Sequence, residues 1–281
     1  MSFKTILVLL DEAKDSSARL DVACGLAEAH GAHLNALAMS QQFSTYMAAG
    51  IDAAAATVDV GQIEESRQQA QSIAKAAKTQ IDTRGVLGEA RWTSHEAFGL
   101  REWAGVQGRH ADLTLVGQPA DEYAPELREA ALEGALISSG RPVLMIPVNW
   151  DKPISTKSVV VAWDGSREAA RALGDAVPFL DQAASVTVVV VDPKPGYEGL
   201  GPDPGADIAT VIARHCSNVE LDRIPSSGAG IAGALLARAT SAAADLIVMG
   251  GYGHSIIRES LFGGVSSEMI NKSTIPLLLS H

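Results

Sequence analysis

Aromatic side chains are scarce in this chain, at 5% of residues, while 47% are apolar. Its core must therefore come from Ala, Val, Leu and Ile, which suits parallel sheets covered by Ala-rich helices better than a β-sandwich. Positive charge is also short: 22 Lys and Arg stand against 33 Asp and Glu, a net charge of −11. Nucleic acid and anionic membrane surfaces would be repelled, so neither is an expected partner. One small anionic ligand held by backbone amides stays compatible with that balance, because such a site is local. Cysteine occurs twice, as Cys24 and Cys216, far apart and in no metal-ligand spacing. Each reads as a small core residue in a reducing compartment. There is no Walker A sequence and no paired Cys/His set for a metal. The first apolar run, Ile6 to Leu10, is too short for a signal segment and meets Asp11-Glu12 at once. No run approaches membrane-spanning length, so a soluble cytoplasmic protein is expected.

The length of 281 residues is comfortable for two domains, and the chain repeats itself. "KTILVLLD" from Lys4 matches "KSVVVAWD" from Lys157. "ADLTLVGQ" from Ala111 matches "ADLIVMGG" from Ala244, and "GRPVLMIP" with Pro142 matches "STIPLLLS" with Pro276. The offsets are 153, 133 and 134, so the order is kept and the second copy is about 20 residues shorter in its middle. A repeat of this size is a domain. The polar, Pro-containing stretch "VNWDKPIST" (Val148 to Thr156) marks the boundary, giving domains at 1–150 and 155–281.

Each copy alternates strand and helix. In the second, strands are expected at Ser158–Trp163, Val186–Asp192, Val219–Ile224, Asp245–Met249 and Ile275–Leu279. Helices are expected at Arg167–Leu180, Ala206–Cys216, Ile231–Ala243 and Val265–Asn271. Ser166 fits an N-cap with Glu168 in the first turn, and Ala169, Ala172, Leu173, Ala176 and Leu180 form one apolar stripe. The strand runs are continuously apolar, as in strands buried on both faces. Right-handed crossovers then give an open five-stranded parallel sheet per copy, an α/β Rossmann-like fold, with ligands beyond the C-terminal strand ends.

One stretch lies where that rule puts a ligand. "GGYGHSIIRESLFGG" runs from Gly250 to Gly264 between a strand and a helix and holds five glycines. Glycine lets backbone amides approach a ligand closely, and the helix start adds free N–H groups and a positive dipole end. Together these suit phosphate; the plain alternative is a tight loop with glycine caps. The spacing of Gly250, Gly253 and Gly263 resembles the nucleotide-binding loop of the universal stress protein family. The Asp164 strand end, "DGSREAARAL" and "ADLIVMG" agree with it, and the framework strands extend the resemblance over the whole chain. The resemblance implies two adenine nucleotide alpha hydrolase-like domains, with ATP, ADP or AMP, with Mg, bound in the second. Asp164 and Gly165 would then face the adenosine, backbone near Val190 and Val191 would hold the adenine, and Gly250, Gly253, Gly263, Gly264 and Val265 would cradle phosphate. His254 lies in the same loop as a phosphate contact, and no carboxylate partner gives it a catalytic role. The family places Ser or Thr directly after the third glycine. Here that position is Gly264, and Ser266 and Ser267, on the first turn of the helix, are the candidates for the hydroxyl. The function implied is stress response or regulation, with slow ATP hydrolysis or a nucleotide-free scaffold as alternatives.

The first copy departs from this pattern. Gly117 is kept, but Ala120 replaces the second glycine, Asp11 is followed by Glu12, and Asp121, Glu122 and Glu126 disfavour phosphate. A rival motif, "GAGIAG" (Gly228 to Gly233), matches a dinucleotide fingerprint literally. It follows the third strand of its unit instead of the first, and the next strand ends without an acid for a ribose, so a flexible helix start explains it better. Finally, "VLMIP" and "IPLLLS" are apolar and end their copies. Exposed as edges they would aggregate, so the two halves are expected to pair through them as a built-in dimer, with a homodimer of whole chains left open.

Overall fold

The computed structural model describes residues 2–41, 60–95, 97–119, 125–194, 202–252 and 264–281. The first half supplies β1 (Thr5–Leu10), α1 (Ser16–His30), β2 (His33–Gln41), α2 (Val60–Arg84), β3 (Gly88–His95), α3 (Ala97–Gly108), β4 (Leu113–Gly117), α4 (Pro125–Ser138) and β5 (Val143–Ile146). The second supplies β6 (Ser158–Ala162), α5 (Arg167–Leu180), β7 (Ser185–Val191), α6 (Ala206–Ile212), β8 (Val219–Ile224), α7 (Gly230–Ser241), β9 (Leu246–Gly250), α8 (Gly264–Lys272) and β10 (Leu277–Ser280). Among the ten strands the order is β3-β2-β1-β4-β5-β10-β9-β6-β7-β8 in a single sheet. All pairings within a half are parallel. The halves meet where β5 and β10 run antiparallel, with Met145, Leu144 and Val143 opposite Leu277, Leu278 and Leu279.

The expected elements of the second half lie within two residues of these, except that α6 stops at Ile212 instead of continuing to Cys216. The helix α5 shows why local sequence suffices there. The Ser166 hydroxyl accepts a hydrogen bond from the Ala169 N–H at 3.1 Å, a cap worth about 1 kcal/mol. The stripe Ala169, Ala172, Leu173, Ala176 and Leu180 is buried against the sheet. Core layers cover both faces of the sheet and run across the two halves. Both cysteines are buried, and burial pushes the Cys24 thiol up to about 11, so it stays protonated and unreactive at neutral pH. Among the described residues no helix is long and apolar enough to cross a membrane.

Two polar features are built into this apolar frame. The side chain of Gln118, just past β4, donates to the carbonyls of Ile270 and Ser273 at the C-terminal end of α8, at 2.7 and 3.1 Å. Its own amide oxygen accepts from the Val148 N–H at 3.0 Å. It thus ties the end of a first-half strand to a second-half helix. Beside it lies a buried charge cluster. Asp11, at the end of β1, is 3% exposed and receives Arg19 at 2.7 Å and Arg128 at 2.9 and 3.0 Å. Asp15 balances the second arginine. Burial alone would push the Asp11 carboxyl up, but the two guanidiniums hold it below the ordinary value.

That arrangement sets a stability prediction. Removing one partner of a buried ion cluster strands the others, so Asp11→Ala should cost about 3–5 kcal/mol in denaturant unfolding. Because the folded-state value is lowered, the stabilisation is complete above the unfolded carboxylate value of about 3.9 and is lost as pH falls below it. The variant should therefore show a shallower loss of stability than the wild type in that acidic window. A cost under about 0.5 kcal/mol, as for an ordinary surface site, would contradict the account.

Candidate functional site

In the second half the strand order reverses between β6 and β9, since β7 and β8 extend one way and β9 and β10 the other. A cavity of about 310 Å³ opens there at the C-terminal strand ends. Its apolar floor comes from Val189 and Val191 of β7, Met249 of β9, and Ile231 and Leu235 of α7. Its polar rim comes from Asp164 and Ser166 after β6, Gly250, and the first turn of α8 at Gly264, Val265 and Ser266. The helices α5, α7 and α8 thus all present their N-terminal turns to one cavity.

Local chemistry explains each wall. The backbone turns sharply after β6, with Gly165 at φ 81°. The exposed Asp164 carboxylate accepts from the Ser166 N–H at 2.9 Å, so this acid shapes the turn it precedes. Gly250 lets α5 approach the strand end: a Cβ there would lie 2.6 Å from the Ala169 backbone nitrogen. Expected from sequence to make room for a ligand, Gly250 makes room in the structure for the backbone of α5. Glu168, in the buried wall, is pushed up by its burial but held below the ordinary value by its hydrogen bond from Arg167. At the other wall the Tyr252 N–H donates to the Ser266 hydroxyl at 3.2 Å, tying the strand end to α8. Tyr252 sits at φ 56° and is buried, and burial pushes its phenol up.

The structure therefore gathers Asp164, Val191, Gly250, Gly264, Val265 and Ser266 around one cavity. Gly165 is exposed in the turn outside the lining, and the Val190 side chain lies away from it, close to Gly205. Gly253, His254 and Gly263 lie outside the described residues. Val189, Met249, Tyr252, Ile231 and Leu235 also line the cavity and are not among the site residues expected from sequence. The alternation of β7 could have supplied Val189, because Val189 and Val191 share a face. In the rival glycine motif, Gly228 just before α7 and Gly230 at its first position take left-handed φ values of 78° and 72°, and the helix they start delivers Ile231 and Leu235 to the cavity.

The equivalent strand end of the first half is closed differently. A Cβ on Gly117 would lie 2.0 Å from Arg19 and 3.0 Å from Arg128, so the space beside that glycine is filled by the protein's own guanidiniums. At the offset of 153, Arg19 corresponds to Ala172. The small residue leaves the second strand end without such a plug. The acidic residues Asp121 and Glu122 lie outside the described residues. A separate cavity of about 540 Å³ near the end of β2 includes Glu12, Ser40, Glu65, Gln69 and Glu126 in its lining, a carboxylate-rich surface unsuited to phosphate. Among the described residues no group of His, Cys, Asp and Glu could hold a metal ion.

Residues 228–281 match the model of the universal stress protein family. In structure the chain is similar to a universal stress protein from Archaeoglobus fulgidus DSM 4304, with a TM-score of 0.71 and 19% identity over 98% of this chain and 95% of that one. It is also similar to a functionally unknown protein from Pseudomonas aeruginosa PAO1, with a TM-score of 0.63 and 12% identity over 99% and 92% of the two chains. A putative universal stress protein from Pseudomonas aeruginosa UCBPP-PA14 gives a TM-score of 0.61 and 15% identity over 99% and 93%. No curated protein matches the sequence. The sequence match to the universal stress protein family is thus confined to the C-terminal segment, while the likeness in fold runs over the whole length of the chain.

Proposed function

We propose that the second half binds an adenine nucleotide in the cavity between β6, β7, β9 and α8, and that the protein acts as a nucleotide-responsive stress or regulatory module. The observation that carries this reading is the cavity itself, with an apolar floor beside a helix N-terminus at the strand-order reversal. A flat base would lie on Val189, Val191 and Met249. The ribose hydroxyls would meet Asp164, whose carboxylate keeps an oxygen free of the turn it shapes. Phosphate would lie at the first turn of α8, where backbone N–H groups and the positive dipole end favour an anion. The hydroxyl of Ser266 accepts from Tyr252 and still has its proton to donate. Mg would arrive with a di- or triphosphate, held by the phosphate oxygens. The first half, its strand end filled by Arg19 and Arg128, serves as the structural partner.

Calorimetric titration and thermal unfolding with ATP, ADP and AMP, with and without Mg, test this reading. At 100 times its dissociation constant, a bound nucleotide should add about 2.7 kcal/mol of stability. Val191→Trp, at a half-buried lining position, should fill the cavity and abolish the shift while the fold survives. Absence of any nucleotide-dependent shift, or unaltered binding by that variant, would refute the assignment.

A second variant reads the phosphate end. A Cβ at Gly264 meets nothing within 4 Å, so a side chain fits there. Gly264→Ser restores the hydroxyl that the family places after its third glycine. A hydrogen bond to a charged group is worth about 1.5–3 kcal/mol, so affinity for the di- and triphosphates should rise about tenfold or more. AMP should gain less. Equal gains for all three, or none, would place the phosphates elsewhere.

A further inference from the structure

Pairing β5 with β10 leaves the ten-stranded sheet with two outer strands, β3 and β8. Each pairs on one side only among the described residues. Just before β3 the Leu87 carbonyl accepts from the Leu34 N–H at 2.9 Å, so alternate residues from Leu87 turn their backbone groups toward β2. Gly88, Ala90 and Trp92 therefore turn theirs outward. Two apolar side chains at this edge are also exposed, Leu87 at 74% and Trp92 at 43%. A regular strand with outward N–H and C=O groups is a template for another strand.

The sequence of β3 says which strand fits. A two-fold axis normal to a sheet must set one residue opposite itself, because adjacent residue pairs in an antiparallel ladder are of unlike type. With Ala90 on the axis, its outward N–H and C=O bond to those of the second copy. Gly88 of one copy then faces Trp92 of the other in a second hydrogen-bonded pair, where the indole can cover the glycine. Glu89 of one copy faces Arg91 of the other, twice, in the closely spaced non-hydrogen-bonded pairs, with Cα atoms about 4.5 Å apart. Glu89 and Arg91 already form an ion pair within one chain, both partly exposed. Two copies would close these into a ring of four alternating charges.

The other edge lacks this property. In β8 the middle residue Leu221 turns outward, since the Asn218 carbonyl accepts from Val186 and starts the inward set. Centring a two-fold there sets Glu220 against Asp222 twice, which is repulsive. Centring on Asp222 sets that carboxylate against itself. The β8 acids are instead drawn to Arg238 within the chain. One edge repels its own copy and the other complements it.

We infer that the protein associates with a second copy of itself through antiparallel pairing of β3 centred on Ala90, continuing the sheet across the two chains. The full chain tests this by sedimentation equilibrium over the micromolar range. The wild type should approach twice the chain mass of 29.3 kDa. Ala90→Pro removes an outward N–H that β2 does not use, and proline is tolerated at such edge positions. That variant should be monomeric with its circular dichroism and thermal midpoint retained. Glu89→Lys should weaken association by about tenfold or more, because it sets like charges opposite each other. The double change Glu89→Lys with Arg91→Glu should restore it. A wild-type monomer throughout that range overturns the inference. So does a dimer that survives Ala90→Pro, or a double change no better than the single one. Should Ala90→Pro impair folding, the charge-swap arm decides on its own.

Discussion

The antiparallel pairing of β5 with β10 is the contact on which the rest of the architecture depends. Both strands are short, apolar and fully buried, Val143–Ile146 in one case and Leu277–Ser280 in the other. Left unpaired, either would present backbone groups and Leu side chains to water. Joining them also fixes direction. Within each half the strands are parallel, so an antiparallel join makes the C-terminal strand ends of the halves face opposite ways. The cavity of the second half and the arginine-filled strand end of the first therefore lie on opposite margins of one sheet. The same join consigns β3 and β8 to the outside, which is why the charges on those two strands matter at all.

The two equivalent strand ends differ in what fills them. At the end of β1, Arg19 and Arg128 lie beside Gly117 and bind the Asp11 carboxylate. A buried ion cluster of this kind gives up solvation for its Coulombic gain, so its net contribution is modest, although losing one member is costly. Its effect is to close the space. At the end of β6, Ala172 stands in place of Arg19, and the space stays open beside Asp164. The two ends are nevertheless joined mechanically. Arg128 donates to the Gln118 carbonyl at 3.0 Å, and Gln118 holds the carbonyls at the C-terminal end of α8. The other end of that nine-residue helix, about 13 Å away, forms a wall of the cavity.

Much of this could be read from residue order. Continuous apolar runs and capping signals gave strands and helices to within two residues over most of the second half, because there local preference and burial agree. The apolar terminal strands and their need for cover pointed to each other. The Asp164 turn and the α8 start, singled out from sequence, line one cavity in the structure. The arginine plug was not, because Arg19 and Arg128 stand in helices as ordinary charged residues until the fold brings three chain segments together. For Arg19 the one advance signal was position, beside the apolar Leu20, Val22 and Ala23 of α1. The second role of Gly250 was hidden for the same reason. A spacing motif records that a side chain is absent, but not whether a ligand or the backbone of α5 uses the room.

The first turn of α8 shows how the position of a single hydroxyl changes what a helix start can offer. Positions 264 and 266 are two residues apart, so about 200° separates them around the helix axis. A hydroxyl at one cannot simply do the work of the other. The Ser266 hydroxyl faces the strand end and accepts the Tyr252 N–H, closing the base of the loop between β9 and α8. The Gly264 position faces open space. The Ser266 hydroxyl thus holds the loop ends together as an acceptor, and an anion there would meet its remaining proton and the backbone N–H groups of the turn. Backbone donors recognise negative charge without regard to how many phosphates follow. Under the proposed reading, a base and ribose would lie on Val189, Val191 and Asp164, and a site built this way would discriminate nucleotides mainly there and only weakly by phosphate number.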